Sequence, residues 1–71
     1  MSQNGKLLAY LERHGSISTR EAMHNLEIYR VSERIRELER LGFVFNHKAE
    51  TTDSGARIMR YVLVSQPEMA A

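Results

Sequence analysis

The sequence has no cysteine and no tryptophan, and its single proline stands at position 67. Without cysteine the chain cannot form a disulfide framework, a thiolate zinc site or a cysteine nucleophile. It also lacks a strong excess of charge, because ten Lys and Arg face nine Asp and Glu and the net charge is +1. Bulk charge therefore neither requires nor excludes a nucleic-acid partner, and any electrostatic argument must be local.

Long apolar runs are missing as well. The opening stretch MSQNGKLLAYLERH holds only the short apolar run LLAY, so we expect neither a signal peptide nor a membrane span. A chain of 71 residues fits one small domain, which we assign to residues 1–65, with a frayed tail at residues 66–71. We expect the protein to be cytoplasmic.

Catalytic and metal-binding patterns are also absent from the sequence. The three histidines, His14, His24 and His47, fall on different predicted elements without the spacing of metal ligands. There is no Gly-rich phosphate loop, nucleophile elbow or converging carboxylate pair, and so small a domain has little room for a substrate pocket. We expect no enzymatic activity, no cofactor, no metal and no small-molecule substrate.

The first half of the chain shows helical periodicity. Residues 6–14 place apolar side chains on one helical face, with Asn4 as a plausible N-cap and Gly15 suited to the turn that ends the helix. A brief extended segment with Ile17 pointing inward follows. Ser18 and Glu21 match the capping-box pattern, so a second helix begins there. Its predicted buried face consists of Ala22, Met23 and Leu26.

A third helix is predicted over residues 29–41, after a turn at which Ile28 fills the core. Its apolar residues lie within an arc of about 120°, a normal core-facing stripe, and Gly42 ends it. That stripe consists of Val31, Ile35, Leu38 and Leu41. The opposite face is polar and charged, which leaves it free to meet another molecule.

Residues 43–48 and 57–64 have the alternation and β-branched content of two antiparallel strands, joined by a polar hairpin tip. The predicted inward side chains are Phe43, Phe45, Met59, Tyr61 and Leu63. The predicted order of elements is that of a winged helix-turn-helix domain of the α+β class. In that architecture a three-helix core is followed by a two-stranded antiparallel hairpin, the wing.

Residues 15–43, GSISTREAMHNLEIYRVSERIRELERLGF, followed by the strand RIMRYVL, resemble a family of small helix-turn-helix domains from bacteriophage and bacterial accessory proteins. The family pattern is G-S-I-[ST], an isoleucine at the turn, R-x-S-x-R-I-x-x-L, then G-[FY]. The matching positions are Gly15, Ser16, Ile17, Ser18, Ile28, Arg30, Ser32, Arg34, Ile35, Leu38, Gly42 and Phe43. The resemblance implies DNA binding by a small regulator.

The candidate DNA-binding residues come from three places. The third helix would lie in the major groove, with Arg side chains able to fork onto guanine and a Glu able to accept from cytosine. The hairpin could approach phosphates as a wing, and hydroxyls at the start of the second helix could bind a phosphate. The candidates are Tyr29, Arg30, Ser32, Glu33, Arg36 and Arg40 on the third helix, Lys48, Arg57 and Arg60 on the hairpin, and Ser18 and Thr19.

Two alternatives stay open at this point. The charged face of the third helix could be a solvated face held by pairs such as Glu33 with Arg36 or Arg34 with Glu37. The domain could also be an adaptor or inhibitor that binds another protein and not DNA. In that case the apolar outward side chains Ile58, Val62 and Val64 would contact a partner or a second copy in a homodimer.

Overall fold

Residues 3–67, which the computed structural model describes, fold into three helices and a three-stranded sheet. The elements are α1 (Gln3–His14), β1 (Ser16–Ser18), α2 (Thr19–Leu26), α3 (Val31–Arg40), β2 (Val44–Thr51) and β3 (Arg57–Ser65). This order confirms the predicted α+β arrangement of three helices followed by an antiparallel hairpin. Of the frayed tail expected at residues 66–71, residues 68–71 lie outside the described part of the chain.

The sheet has the strand order β1-β3-β2, and both pairings are antiparallel. The sequence predicted only the β2–β3 hairpin, whereas Ser16–Ser18 also pairs with β3, with Ile17 opposite Tyr61. Gly15 makes this possible, because its φ of 82° turns the chain out of α1 and its carbonyl accepts from the Leu63 amide at 2.9 Å. The third strand ties the hairpin to the helical half of the domain.

The core lies between the three helices and the inner face of the sheet. Helix α3 supplies the stripe Val31, Ile35 and Leu38, each at most 2% exposed, as its periodicity predicted. The other buried apolar residues are Leu7, Leu11, Ile17, Ala22, Ile28, Phe45 and Tyr61, and Phe43, Met59 and Leu63 pack against them. Ile28 and the inward set of the hairpin therefore occupy the positions that the sequence predicted.

The capping box at the start of α2 is formed as predicted. The Glu21 amide donates to the Ser18 hydroxyl at 3.0 Å, and the Ser18 amide donates to the Glu21 carboxylate at 3.1 Å. The C-cap of α2 is Glu27, whose left-handed φ of 56° reverses the chain so that Ile28 enters the core. This tight turn positions α3 relative to α2.

Two predicted core residues are exposed. Leu41 is 65% exposed because α3 ends at Arg40 and the chain turns toward the sheet, where Phe43 packs against the core. Met23 is 41% exposed because it lies about 100° around α2 from the buried Ala22. Both predictions of burial were wrong because helical periodicity extended the buried stripe too far. It included a residue at the flank of the stripe on α2, Met23, and a residue beyond the end of α3, Leu41.

Two helix starts also differ from the prediction. Helix α3 begins at Val31 and not at Tyr29, since Arg30 is its N-cap. Helix α1 begins at Gln3, so Asn4 lies within the helix and its side-chain amide donates to Glu37 at 3.3 Å. The first helix is therefore one turn longer than predicted, and its first turn contacts α3.

Candidate nucleic-acid interface

The solvent face of α3 carries four of the predicted DNA-binding residues. Ser32, Glu33, Arg36 and Arg40 are exposed, on the side of the helix opposite to the buried stripe. Glu33, Arg36 and Arg40 line one shallow surface groove together with Glu37. The helix thus presents a short charged surface with two guanidinium groups in one groove.

Ion pairs divide the arginines of this region into two groups. Arg34 pairs with Glu37 at 2.9 Å and approaches Glu33 at 3.9 Å, and Arg30 pairs with Glu33 at 3.6 Å. Within residues 3–67, Arg36 and Arg40 form no ion pair, so the predicted Glu33–Arg36 pair is not formed. The solvated-face alternative therefore holds for one flank of α3, and the two arginines on its outer side keep their charge free for a ligand.

Tyr29 and Arg30 stand in the turn that precedes α3. Tyr29 is 70% exposed, an unusual position for an aromatic side chain of this size. Together with Gln3 and Arg34 these residues line a small groove next to the start of α3. The turn therefore extends the surface of α3 with the Tyr29 phenol and the Arg30 guanidinium.

The wing is the β2–β3 hairpin, whose tip spans residues 52–56. Its turn is held by the Thr52 amide donating to the Ala56 carbonyl at 2.8 Å and the Ala56 amide donating to the Thr52 hydroxyl at 3.1 Å. Lys48 and Arg57 are exposed and, like the outer arginines of α3, form no ion pair with a described residue. These two cations remain the basic groups of the wing.

Arg60, predicted as a third basic residue of the wing, is withdrawn from solvent by its neighbours. Its Nε donates to the Glu50 carboxylate at 2.7 Å, and its two terminal nitrogens donate to the Glu21 carboxylate at 3.2 Å. It also donates to the Ser16 hydroxyl at 3.0 Å. The prediction for Arg60 was wrong, because the carboxylates that satisfy it come from a helix and a strand distant in sequence.

Arg60, Glu21 and Glu50 form one cluster, in which the hydrogen bonds favour the charged forms of Arg60 and Glu21. The hydrogen bonds to Glu21 and Glu50 raise the pKa of the Arg60 guanidinium. Burial by itself would raise the pKa of Glu21, but the hydrogen bonds from Arg60 and from the Ser18 amide together hold it below its usual value. The cluster therefore locks the wing to the start of α2 and does not offer a free cation.

Ser18 and Thr19 are placed differently from each other. Ser18 is 2% exposed and its hydroxyl is engaged in the helix cap, so its side chain does not face a ligand. The Thr19 hydroxyl donates to the Met59 carbonyl at 3.3 Å, and Thr19 lines a groove of about 350 Å³ with Arg57 on the wing. Tertiary structure thus brings Thr19 and Arg57 together, while Ser18 serves the cap.

The three apolar residues predicted as an interface do not form one patch. Ile58 is half-buried and lines the same groove as Thr19 and Arg57. Val62 and Val64 lie at the base of the hairpin, separated from Ile58 along β3 by the charged Arg60. Val64 is 61% exposed and has Val44, 49% exposed, beside it across a β-bulge.

One contact between α3 and the wing was not foreseen from the sequence. His47 Nε2 lies 3.0 Å from a Glu39 carboxylate oxygen, and its ring meets the Tyr61 ring edge-on at 5.0 Å between centroids. Burial, followed by the Glu39 charge, raises the pKa of the Tyr61 phenol. No spacing rule links positions on a helix and a strand, so only the fold reveals that this contact sets the wing against the end of α3.

Three helices with a tight turn between the second and third, followed by an antiparallel hairpin, give the architecture of a winged helix-turn-helix domain. A family model described as a winged helix-turn-helix domain matches residues 2–66. The chain belongs to this family, whose domains typically bind DNA and are not enzymes. Comparisons with curated proteins and with solved structures gave no match.

In the part of the chain from residue 3 to residue 67, none of the helices combines the length and the apolar character needed to cross a membrane. Over the same residues, no three His, Asp or Glu side chains group together as metal ligands would.

Proposed function

We propose that this chain is a sequence-specific double-stranded DNA-binding protein that regulates transcription. Helix α3 would lie in the major groove and the β2–β3 hairpin would contact the flanking backbone as a wing. The observation that carries the proposal is the pair of unpaired guanidinium groups, Arg36 and Arg40, on the face of α3 opposite to its buried stripe. Since its partner would be DNA, we place the protein in the cytoplasm of a bacterium or a phage-infected bacterial cell.

The charged side chains of α3 would each have a distinct role in the complex with DNA. Arg36 lies at the middle of the exposed face of α3, where a guanidinium can fork onto the O6 and N7 atoms of guanine. Arg40, in the last turn, would reach a phosphate. Glu33 on the same face forms an ion pair with Arg30 at 3.6 Å, which lessens its repulsion of phosphates and leaves it able to read a cytosine amino group.

The flanking contacts would come from the wing and from the turn before α3. Lys48 and Arg57 supply the two free positive charges of the hairpin, and Thr19 lies in the groove beside Arg57. Tyr29 and Ser32 are exposed near the start of α3 and can donate to phosphates. Of the residues predicted from the sequence, the proposed contact set leaves out only the Ser18 side chain, Arg60 and Arg30, which pairs with Glu33.

The test is selection of a binding sequence from random duplexes at low salt, followed by fluorescence anisotropy on the selected site. The double variant Arg36→Ala plus Arg40→Ala should lose about 2–4 kcal/mol of binding free energy, because a guanine fork contributes about 1–3 kcal/mol and a phosphate contact less. The matched control Lys6→Ala plus Arg13→Ala removes the same charge from α1 and should bind as the parent chain does.

Two results would contradict this function. No selected sequence and no measurable association with any duplex at low salt would remove DNA binding altogether. Equal losses in the α3 variant and in the α1 control would show that only net charge matters, which excludes reading by α3. Either result would favour the alternative function, an adaptor or inhibitor that binds a protein through a winged-helix scaffold.

A second proposal concerns a homodimer. Val44 and Val64 are exposed side by side at the hairpin base, and Val62 lies next to them on the outer face of the sheet. Burying this face against a second copy would remove apolar surface from water and join two DNA-binding units.

In analytical ultracentrifugation Val64→Lys should dissociate the dimer, while Met23→Lys, which alters an exposed apolar residue elsewhere, should not. A parent chain that sediments as a monomer at all concentrations would exclude the dimer.

A further inference from the structure

Helix α1 carries a second cationic surface, away from α3 and the wing. A groove of about 290 Å³ runs between α1 and the end of α2, and it is lined by Lys6, Ala9, Tyr10, Arg13, His14 and Leu26. None of these residues belongs to the proposed DNA contact set. The surface can therefore take its own ligand.

The floor of this groove is apolar and preformed. Leu26 is half-buried and packs against the core, and the Tyr10 ring lies against the His14 ring at a tilt of 42°, with 4.3 Å between ring centroids. The Tyr10 hydroxyl accepts from the Asn25 side-chain amide at 3.3 Å, which fixes the ring against α2. Ala9 is exposed and small, so the floor is open to an incoming side chain.

The two cations on the rim of the groove, Lys6 and Arg13, are not neutralised by the chain itself. Among the described residues neither forms an ion pair, whereas His14 interacts electrostatically with Glu21. The one acidic residue of α1, Glu12, lies about 100° around the helix from Arg13. Basic residues in the last turn suit a helix C-terminus, but that reason does not apply to Lys6 in the first half of the helix.

We propose that this groove binds an acidic amphipathic segment of a partner protein. A large apolar side chain of that segment would lie on the floor over Ala9 and Leu26, and Asp or Glu residues flanking it would pair with Lys6 and Arg13. The charge complementarity selects this occupant: an apolar floor with an unneutralised cationic rim fits a segment that is apolar on one side and acidic around it. A regulator with this surface could hold DNA through α3 and a protein through α1.

The experiment uses the full chain and a short fluorescent peptide in which Leu residues at helical spacing are flanked by Glu. Anisotropy at low salt should show saturable binding that weakens as salt is added, and a peptide with Lys in place of Glu should not bind. The variant Lys6→Gln plus Arg13→Gln should weaken peptide binding about fivefold to tenfold, because two exposed charge pairs are lost. Ala9→Glu, which places a carboxylate on the floor, should weaken it further.

The matched control is Lys48→Gln plus Arg57→Gln, which removes the same charge from the wing. This control should leave peptide binding unchanged, and the groove variant should leave affinity for DNA unchanged. Equal weakening of the peptide by both variants, or no binding by the parent chain, would overturn the proposal. Loss of DNA affinity in the groove variant as large as in the wing variant would also overturn it, since α1 would then belong to the DNA surface.

Discussion

Arg60 and Arg57 lie three residues apart on β3, but only Arg60 is bound by carboxylates of the described residues. Arg57 is exposed without an ion pair in the described part of the chain, whereas Arg60 donates five hydrogen bonds, four to the carboxylates of Glu21 and Glu50 and one to Ser16. A guanidinium engaged in this way contributes to stability and is not available to phosphates. The difference between the two residues lies entirely in which neighbours the fold gives them.

Replacing each arginine by alanine should separate the contribution to stability from the contribution to DNA binding. Arg60→Ala should lower the free energy of unfolding by about 1–3 kcal/mol, because two carboxylates lose their shared partner and repel each other. Arg57→Ala should leave stability within about 0.5 kcal/mol of the parent chain and weaken DNA binding instead. Urea unfolding and anisotropy on the same variants check both statements. A stability loss in Arg57→Ala as large as in Arg60→Ala would contradict the assignment.

Acid should weaken the same cluster. The pKa of Glu21 is lower in the folded chain than in the unfolded chain, so its contribution to stability is present above the unfolded pKa of about 4.3 and is lost as pH falls through the folded pKa. Glu21→Gln keeps an acceptor for the helix cap but removes the charge opposite Arg60.

The variant Glu21→Gln should therefore be less stable than the parent chain by about 0.5–1 kcal/mol near neutral pH, a figure reduced for the partial exposure of the carboxylate. This difference should shrink as pH falls below the unfolded pKa of Glu21 and through its lower folded pKa. Urea titrations at several pH values measure it. A difference that stays constant with pH would show that the Glu21 charge does not act through Arg60.

Helix α3 shows how far periodicity predicts an element. The positions of Val31, Ile35 and Leu38 were predicted as buried and are buried, because helical geometry alone places residues three and four apart on one face. The same pattern wrongly included Leu41, since it contains no information on where the chain leaves the helix. The end of α3 depends on the turn at Gly42 and on Phe43 entering the core.

The contrast between Leu38 and Leu41 gives a test of this helix end. Leu38→Ala should cost about 2–5 kcal/mol of unfolding free energy, because it leaves a cavity beneath α3. Leu41→Lys should change stability by less than about 0.5 kcal/mol, because the side chain is already mostly in solvent. Thermal and urea unfolding compare the two. Comparable losses in both variants would place Leu41 in the core after all.

The whole molecule is elongated, with extents of 46 × 24 × 20 Å. Its four free cations in the proposed DNA interface are divided between α3 and the wing: Arg36 and Arg40 on the helix, Lys48 and Arg57 on the hairpin. This is a small phosphate footprint for a DNA-binding domain. The salt dependence of DNA binding should therefore report the number of phosphate contacts and the number of copies bound.

We expect the logarithm of the binding constant to fall against the logarithm of salt concentration with a slope of about −3 for one copy, since Arg40, Lys48 and Arg57 would each neutralise one phosphate and each neutralised phosphate contributes about −0.9. The slope should be about twice as steep if two copies occupy one site. Anisotropy titrations over a range of salt, combined with a stoichiometry titration, measure both quantities. A slope near zero would exclude phosphate contacts by the wing and α3 together.

The sequence by itself determined the order of helices and strands, the capping box at Ser18 and Glu21, the core stripe of α3 and the winged helix-turn-helix class. These features depend on side-chain periodicity and on hydrogen bonds between residues close in the chain, which a sequence displays directly. The cationic outer face of α3 followed from the same periodicity.

Only the tertiary structure decided which charges are free and which are neutralised. The partners of Arg60, the contact of His47 with Glu39, the third strand and the groove between α1 and α2 all join residues on separate elements. Charge pairs and strand pairs of this kind form wherever folding brings two groups within a few ångströms, a distance that separation along the chain does not specify. The sequence therefore supplied the candidate cations, and the fold selected among them.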